Sequence, residues 1–175
     1  MTLESLTSVF RALGNRSVRF IVVGGVAVNV QGYQRPTADL DLVVQLDREN
    51  VLAALKALES LGYRSVLPVD ASDFADDARR EQWREERGLE VFSMVSDRLP
   101  DLTVDIFAFH PFDFDAAFAG ATVAGTELAD TPVRFASPDT LIEMKRVVGR
   151  PRDLDDIENL RFLAGGASNG GDGRE

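Results

Sequence analysis

A chain of 175 residues with a net charge of −10 and no cysteine is long enough for one domain with a real core and too short for two comfortable ones. Without cysteine there is no disulfide framework, thiolate metal site or thiol nucleophile, and a single histidine rules out a multi-histidine zinc centre. The acidity removes any global attraction to nucleic acid, leaving only a local basic face or a basic partner as routes to it.

The composition, 45% apolar and 27% charged, is that of a globular soluble protein. No apolar run is long enough to span a membrane. Residues 1–7 lack the basic and apolar regions of a secretory signal, so a cytoplasmic protein without a membrane partner is expected.

Residues 3–13 place Leu3, Leu6, Val9, Phe10 and Leu13 at helical spacing, and Gly14-Asn15 is a stop signal. Residues 18–23 are a short β-rich apolar run and predict a buried strand. Gly24-Gly25 breaks it, and residues 26–31 predict a helix packed on the sheet, ending near Gly32. Residues 33–38 read as a loop holding Arg35, Pro36 and Thr37. Leu40, Leu42, Val43 and Val44 predict a second strand, with Asp39 and Asp41 inside it.

Asp47 is a good N-cap for a helix over 51–61, which has Leu52, Leu55 and Leu58 on one face and Gly62 after its end. Residues 70–87 are dense in charge and read as a polar helix or an ordered surface loop. Strands are predicted over 89–95 and, after a turn at Pro100-Asp101, over 102–109, where Asp105 interrupts an alternating apolar pattern. Two short strands follow near 121–123 and 133–136. Ser137-Pro138 opens a helix through Val148, since proline suits the first helical turn. Residues 149–151 predict a turn and 153–162 a last helix. The glycine-rich stretch 165–175 reads as a disordered tail beyond a single domain over 1–164.

Three aspartates carry the chemical signal. Strand residues i and i+2 share a face, so Asp39 and Asp41 project the same way. A carboxylate in a half-buried strand is costly unless it is paired or ligates a metal. Asp105 repeats the oddity in T-V-D-I-F, and neighbouring strands would make the three a cluster. Hard oxygen ligands of this kind suit magnesium or manganese, with substrate phosphates completing the shell. The plainer reading, solvated acids at a strand edge, fits Asp47 better. Gly24-Gly25 is a weak signal alone. Its value is position, since it opens a helix whose first amides can hold a phosphate, without the spacing of a Walker loop or a dinucleotide fingerprint.

Arg35 and Thr37 could contact phosphates, and Arg35 could equally pair with an aspartate. Lys145 lies on a helix with Leu141, Ile142, Met144 and Val148 as its apolar face, ahead of Arg146, Arg150, Arg152, Asp153, Asp155 and Asp156. A solvated charge pattern is the plain reading there. Trp83 among Arg79, Arg80, Arg84 and Arg87 could stack on a nucleic acid, but Glu81, Glu85 and Glu86 give ordinary salt-bridge spacing. His110, just before Pro111, reads as structural, and no Ser or Cys motif joins it in a hydrolase triad.

The pattern V-V-G-G-V-A, then T-A-D-L-D-L, then T-V-D-I-F resembles the nucleotidyltransferase superfamily that includes DNA polymerase beta. Within it, G-Y-Q-R-P-T-A-D-L-D and L-I-E-M-K-R-V-V-G-R-P-R-D-L-D-D-I-E-N-L resemble the small bacterial AbiEii-like toxin nucleotidyltransferases, over residues 18–162. The resemblance implies an α/β (α+β) fold whose mixed, mostly antiparallel sheet is flanked by helices. It implies transfer of a nucleoside monophosphate from an NTP to a hydroxyl, with release of pyrophosphate. Asp39 and Asp41 would hold Mg2+ or Mn2+ on the triphosphate, and Asp105, with a second metal, would activate the hydroxyl. Gly24, Gly25 and Lys145 would hold the phosphates, with Asp153 or Asp156 orienting Lys145.

The acceptor it implies is the 3′ end of tRNA, a protein side chain or a small molecule such as an antibiotic. Toxin-like relatives also imply an antitoxin partner. One departure is Gly25: members with Gly-Ser place a serine hydroxyl on the phosphates, whereas Gly-Gly is common in the toxin-like branch. Two other classes remain open at this stage, a non-catalytic nucleotide- or partner-binding module of the same fold and a magnesium-dependent phosphohydrolase.

Overall fold

The computed structural model describes residues 1–124, 130–148, 154 and 156–161. Four apolar residues without a polar break form β1 (Phe20–Val23), and all four are buried, as expected of a strand covered on both faces. The other strands are β2 (Asp39–Val44), β3 (Tyr63–Ser65), β4 (Val91–Ser96), β5 (Thr103–Phe107), β6 (Thr122–Ala124) and β7 (Val133–Phe135). They make one sheet in the order β3-β4-β5-β2-β1-β7-β6. The pairs β1–β2, β3–β4, β4–β5 and β6–β7 are antiparallel, while β1–β7 and β2–β5 are parallel. The sheet is therefore mixed and mostly antiparallel.

Helices flank it: α1 (Leu3–Gly14), α2 (Gly24–Val30), α3 (Arg48–Ser60), α4 (Asp77–Arg87), α5 (Phe114–Ala119) and α6 (Pro138–Val148), with residues 156–161 also helical. Asp47 caps α3 by accepting from the Asn50 amide, so the helix starts at Arg48, earlier than its apolar spacing alone suggested. Thr2 caps α1 in the same way.

Residues 70–87 resolve into a 3-10 turn (Ala71–Ala75) and α4. Phe74 and Trp83 both stack on Phe92 of β4, with ring centroids 4.5 and 6.3 Å away. Trp83 is buried and presents no face to a base, which removes the nucleic-acid reading of this stretch. Arg80 is buried as well. Its guanidinium donates to the carbonyls of Phe74 (2.6 Å) and Leu46 (2.9 Å) and pairs with Asp77. A buried cation is tolerated only when its donors are matched in this way.

Among the described residues no helix is long and apolar enough to cross a membrane. The turn at 149–151, Arg150, Arg152, Asp153, Asp155, the last residue of the predicted final helix and the tail 165–175 lie outside the described residues.

Candidate active site

The parallel β2–β5 pair sets Asp41 directly beside Asp105. Residues in register on neighbouring strands share a face, and Asp39, two residues before Asp41, shares it too. Leu40 and Leu42, with Val104 and Ile106, fill the opposite face and are fully buried. The leucines that bracket the aspartates are thus plain strand alternation. Asp39 is exposed and Asp41 partly buried, so the cost of burying a carboxylate falls on Asp41 and Asp105 rather than on Asp39.

Asp41 is pushed up from 3.8 to about 6, first by burial, then by the charges of Asp105 and Asp39, with Lys145 and Arg35 opposing. Burial also raises Asp105, and Asp39 adds to it, while a hydrogen bond from Ser93, its cross-strand neighbour, pulls the other way. Among the described residues, Asp105 Oδ1 has no hydrogen-bond partner although it is buried. Asp41 and Asp105 are each held beside other acids against their own solvation.

The turn between β1 and α2 closes on this cluster. Gly24 has φ +62, and a Cβ there would sit 1.9 Å from Asp41 Oδ2. Backbone conformation and the carboxylate both require glycine at this position.

The loop before β2 is held from two sides. The Asn29 side chain accepts from the Arg35 amide (2.8 Å) and donates to its carbonyl (2.9 Å). The Arg35 guanidinium meets Asp156, with Nε 3.1 Å from Oδ1. The other Asp156 oxygen lies 2.6 Å from Lys145 Nζ. These contacts are at ion-pair distance, and among the described residues neither Arg35 Nε nor Asp156 Oδ2 has a partner of good hydrogen-bond geometry, so charge pairing holds the three together. Asp156 has only 3% of its side chain exposed. It therefore joins the loop, α6 and the helical residues 156–161. Of the two readings of Arg35, pairing with an aspartate is seen here, and of the two acids named to orient Lys145, Asp156 meets it while Asp153 lies outside the described residues.

Gly24, Gly25, Arg35, Thr37, Asp39, Asp41, Asp105 and Lys145 all line one cavity of about 340 Å³. These eight are the residues named from the sequence as metal ligands or phosphate contacts. Glu90, Val91, Phe107, Leu141 and Met144 complete the lining and were missed. Phe107 carried a usable signal, since it follows Asp105 by two residues on the same strand face. Glu90 carried none, being one more acid at the end of a charged stretch. His110 lies outside the cavity, its Nε2 3.0 Å from the Val44 carbonyl and its ring stacked on Phe114, as a structural residue would.

Among the described residues no three acidic or histidine side chains form a closed metal-binding group. The donor set nevertheless fits a hard cation, because the acids are oxygen ligands crowded on one face with one buried oxygen left unpartnered.

No family model matches this chain, and no curated protein does. Solved structures do match. One is the solution structure of the antibiotic-resistance factor ANT(2'')-Ia, with TM-score 0.56 and 18% identity over 94% of this chain and 83% of that one. This is a nucleotidyltransferase fold. ANT(2'')-Ia in complex with adenylyl-2''-tobramycin gives TM-score 0.55 and 17% identity, covering 92% of this chain and 93% of that one. The lincosamide antibiotic adenylyltransferase LnuA, lincomycin-bound, gives 0.55 and 15%, covering 93% and 98%. At such identities the likeness is one of fold. Its chemistry must be argued from the residues in the cavity.

Proposed function

We propose that this chain is a divalent-metal-dependent nucleotidyltransferase that moves a nucleoside monophosphate from an NTP to a hydroxyl of a small molecule. The observation that carries the reading is the in-register pair Asp41–Asp105, with Asp39, on one wall of a cavity that Arg35 and Lys145 also line. Acids and cations around one space suit a metal–triphosphate, which presents both charges. The shared fold supports it, since two of the matched structures are adenylyltransferases seen with tobramycin and lincomycin moieties. The net charge of −10 argues against RNA as acceptor.

Asp39, Asp41 and Asp105 would hold Mg2+ or Mn2+, which when bound offsets phosphate charge and lowers the pKa of a coordinated hydroxyl. Arg35 and Lys145 supply fixed positive charge for the phosphates, kept in place by Asp156. The Gly24-Gly25 turn leaves room for close approach, and Thr37 adds a hydroxyl. The acceptor hydroxyl gives its proton to solvent, its oxygen bonds to the α-phosphorus, the bond from that phosphorus to the bridging oxygen breaks, and pyrophosphate leaves. No side chain becomes covalently attached.

The test incubates the protein with each labelled NTP and magnesium, in turn with cell RNA, cell protein and a small-molecule fraction spiked with aminoglycosides and lincosamides. Label on a small molecule with pyrophosphate release, lost in Asp39→Ala and Asp105→Ala, is the expected result. Full turnover in both variants would sink the metal-site reading. Label on tRNA or protein would move the chain toward the AbiEii-like toxins, where an antitoxin partner becomes relevant. Tight NTP binding without pyrophosphate release would make it a binding module. Phosphate release without an acceptor would make it a phosphohydrolase.

A further inference from the structure

Gly25 presents a puzzle that Gly24 does not. Positive φ is found at Gly24, Gly32, Gly62 and Gly88, and not at Gly25, so the backbone there admits any residue. What excludes a side chain is the loop before β2. A Cβ at position 25 would meet Thr37 Oγ1 at 2.6 Å, Thr37 Cβ at 2.8 Å and Arg35 Nη2 at 3.2 Å. Rotating Thr37 cannot relieve this, because its Cβ is fixed to the main chain. Only moving the loop would, and the loop is clamped by Asn29 and by Arg35 on Asp156.

We propose that positions 25 and 37 share one place in the cavity, and that Thr37 fills it with a hydroxyl that binds a phosphate oxygen of the nucleotide. The inference rests on the nucleotidyltransferase reading and deepens it. Thr37 and Gly25 both line the cavity. The only hydrogen bond found for Thr37 Oγ1 among the described residues is a long one, 3.4 Å, to the Asp39 carbonyl, so its proton is readily redirected to a better acceptor. The Arg35 guanidinium reaches the same spot above Gly25, pairing a hydroxyl donor with a cation as an anionic oxygen requires.

The test measures magnesium-dependent binding of a non-hydrolysable NTP analogue by calorimetry, with KM and kcat beside it, on folded proteins checked by thermal melting. Thr37→Val keeps the shape and removes the hydroxyl; it should weaken binding about tenfold or more, the range for a hydrogen bond to a charged group. Thr37→Ser should stay within about threefold of wild type on the same grounds. Thr37→Gly should also bind weakly, and Gly25→Ser added to it should restore affinity, because a side chain at 25 then has room. A merely structural threonine would show neither the serine rescue nor this reciprocal one. Wild-type affinity in Thr37→Val, or no recovery in the double variant, would overturn the inference while leaving the functional reading standing. A wild-type protein that binds no NTP would overturn both.

Discussion

Asp41 offers a test of the site that needs no substrate. Its carboxyl is pushed up from 3.8 to about 6, chiefly by burial and then by Asp105 and Asp39. Below pH 3.8 the group is protonated in folded and unfolded chains alike and costs nothing. Between the two values the unfolded chain ionises first, so stability falls as pH rises. Above 6 both forms are ionised and the cost levels off. At about 1.4 kcal/mol per pH unit between the two values, ionised Asp41 costs the fold about 3 kcal/mol.

Asp41→Asn removes that charge and keeps the shape. In chelator-treated buffer the variant should match wild type near pH 4 and exceed it by up to about 3 kcal/mol at pH 7, read by urea unfolding across the series. Adding magnesium should then narrow the gap, since a cation held by Asp41 stabilises only the wild type. A stability difference that stays flat with pH, or a variant weaker than wild type at neutral pH, would refute the argument.

Three further outcomes follow from packing. Asp156→Ala takes away the carboxylate shared by Arg35 and Lys145 and should cost about 3 kcal/mol in urea unfolding, at the lower end for breaking a buried pair because Arg35 keeps partial solvent access; NTP affinity should fall with it. Arg80→Met strips the Phe74 and Leu46 carbonyls of their donor and should cost roughly 2–4 kcal/mol, yet leave NTP affinity unchanged, since α4 packs on the sheet face away from the aspartates. Gly24→Ala and Gly88→Ala force alanine to nearly the same φ, +62 and +63. At Gly88 no described residue lies within 4 Å, so that variant should lose only about 1–2 kcal/mol of stability to backbone strain, whereas Gly24→Ala should lose much more and also lose metal binding.

Local patterns carried the site well because its parts are local. β1 is readable as an unbroken apolar run, and the two-residue period placed Asp39 and Asp41 together and made Asp105 conspicuous. The meeting of Asp41 with Asp105 was not readable from local pattern and was implied only by the family resemblance. It depends on a parallel pairing between strands some sixty positions apart, which no local signal specifies. Asp156 stood among several charges and could be narrowed to two residues only. The charge density of residues 70–87 concealed a thin buried face made of Phe74, Arg80 and Trp83, with an arginine inside because backbone carbonyls meet its donors. Charged composition usually signals solvent, and here it hid an anchor.

The electrostatics of the cavity constrain the order in which it fills. Among the described residues its lining presents four carboxylates, Asp39, Asp41, Glu90 and Asp105, against the two cations Arg35 and Lys145. Both cations also face Asp156, which takes up one of their two charges, so they offset the other acids only in part. A bare triphosphate would approach a wall of like charge. The empty wall relieves itself in part by raising the proton affinity of Asp41, and a divalent cation relieves it further by displacing that proton. If the proposed function holds, metal and proton would compete for one oxygen cluster, and nucleotide affinity would depend on which of them holds it. On the proposed reading the nucleotide would therefore enter with its cation, and Arg35 and Lys145 would serve as fixed guides more than as the main source of attraction.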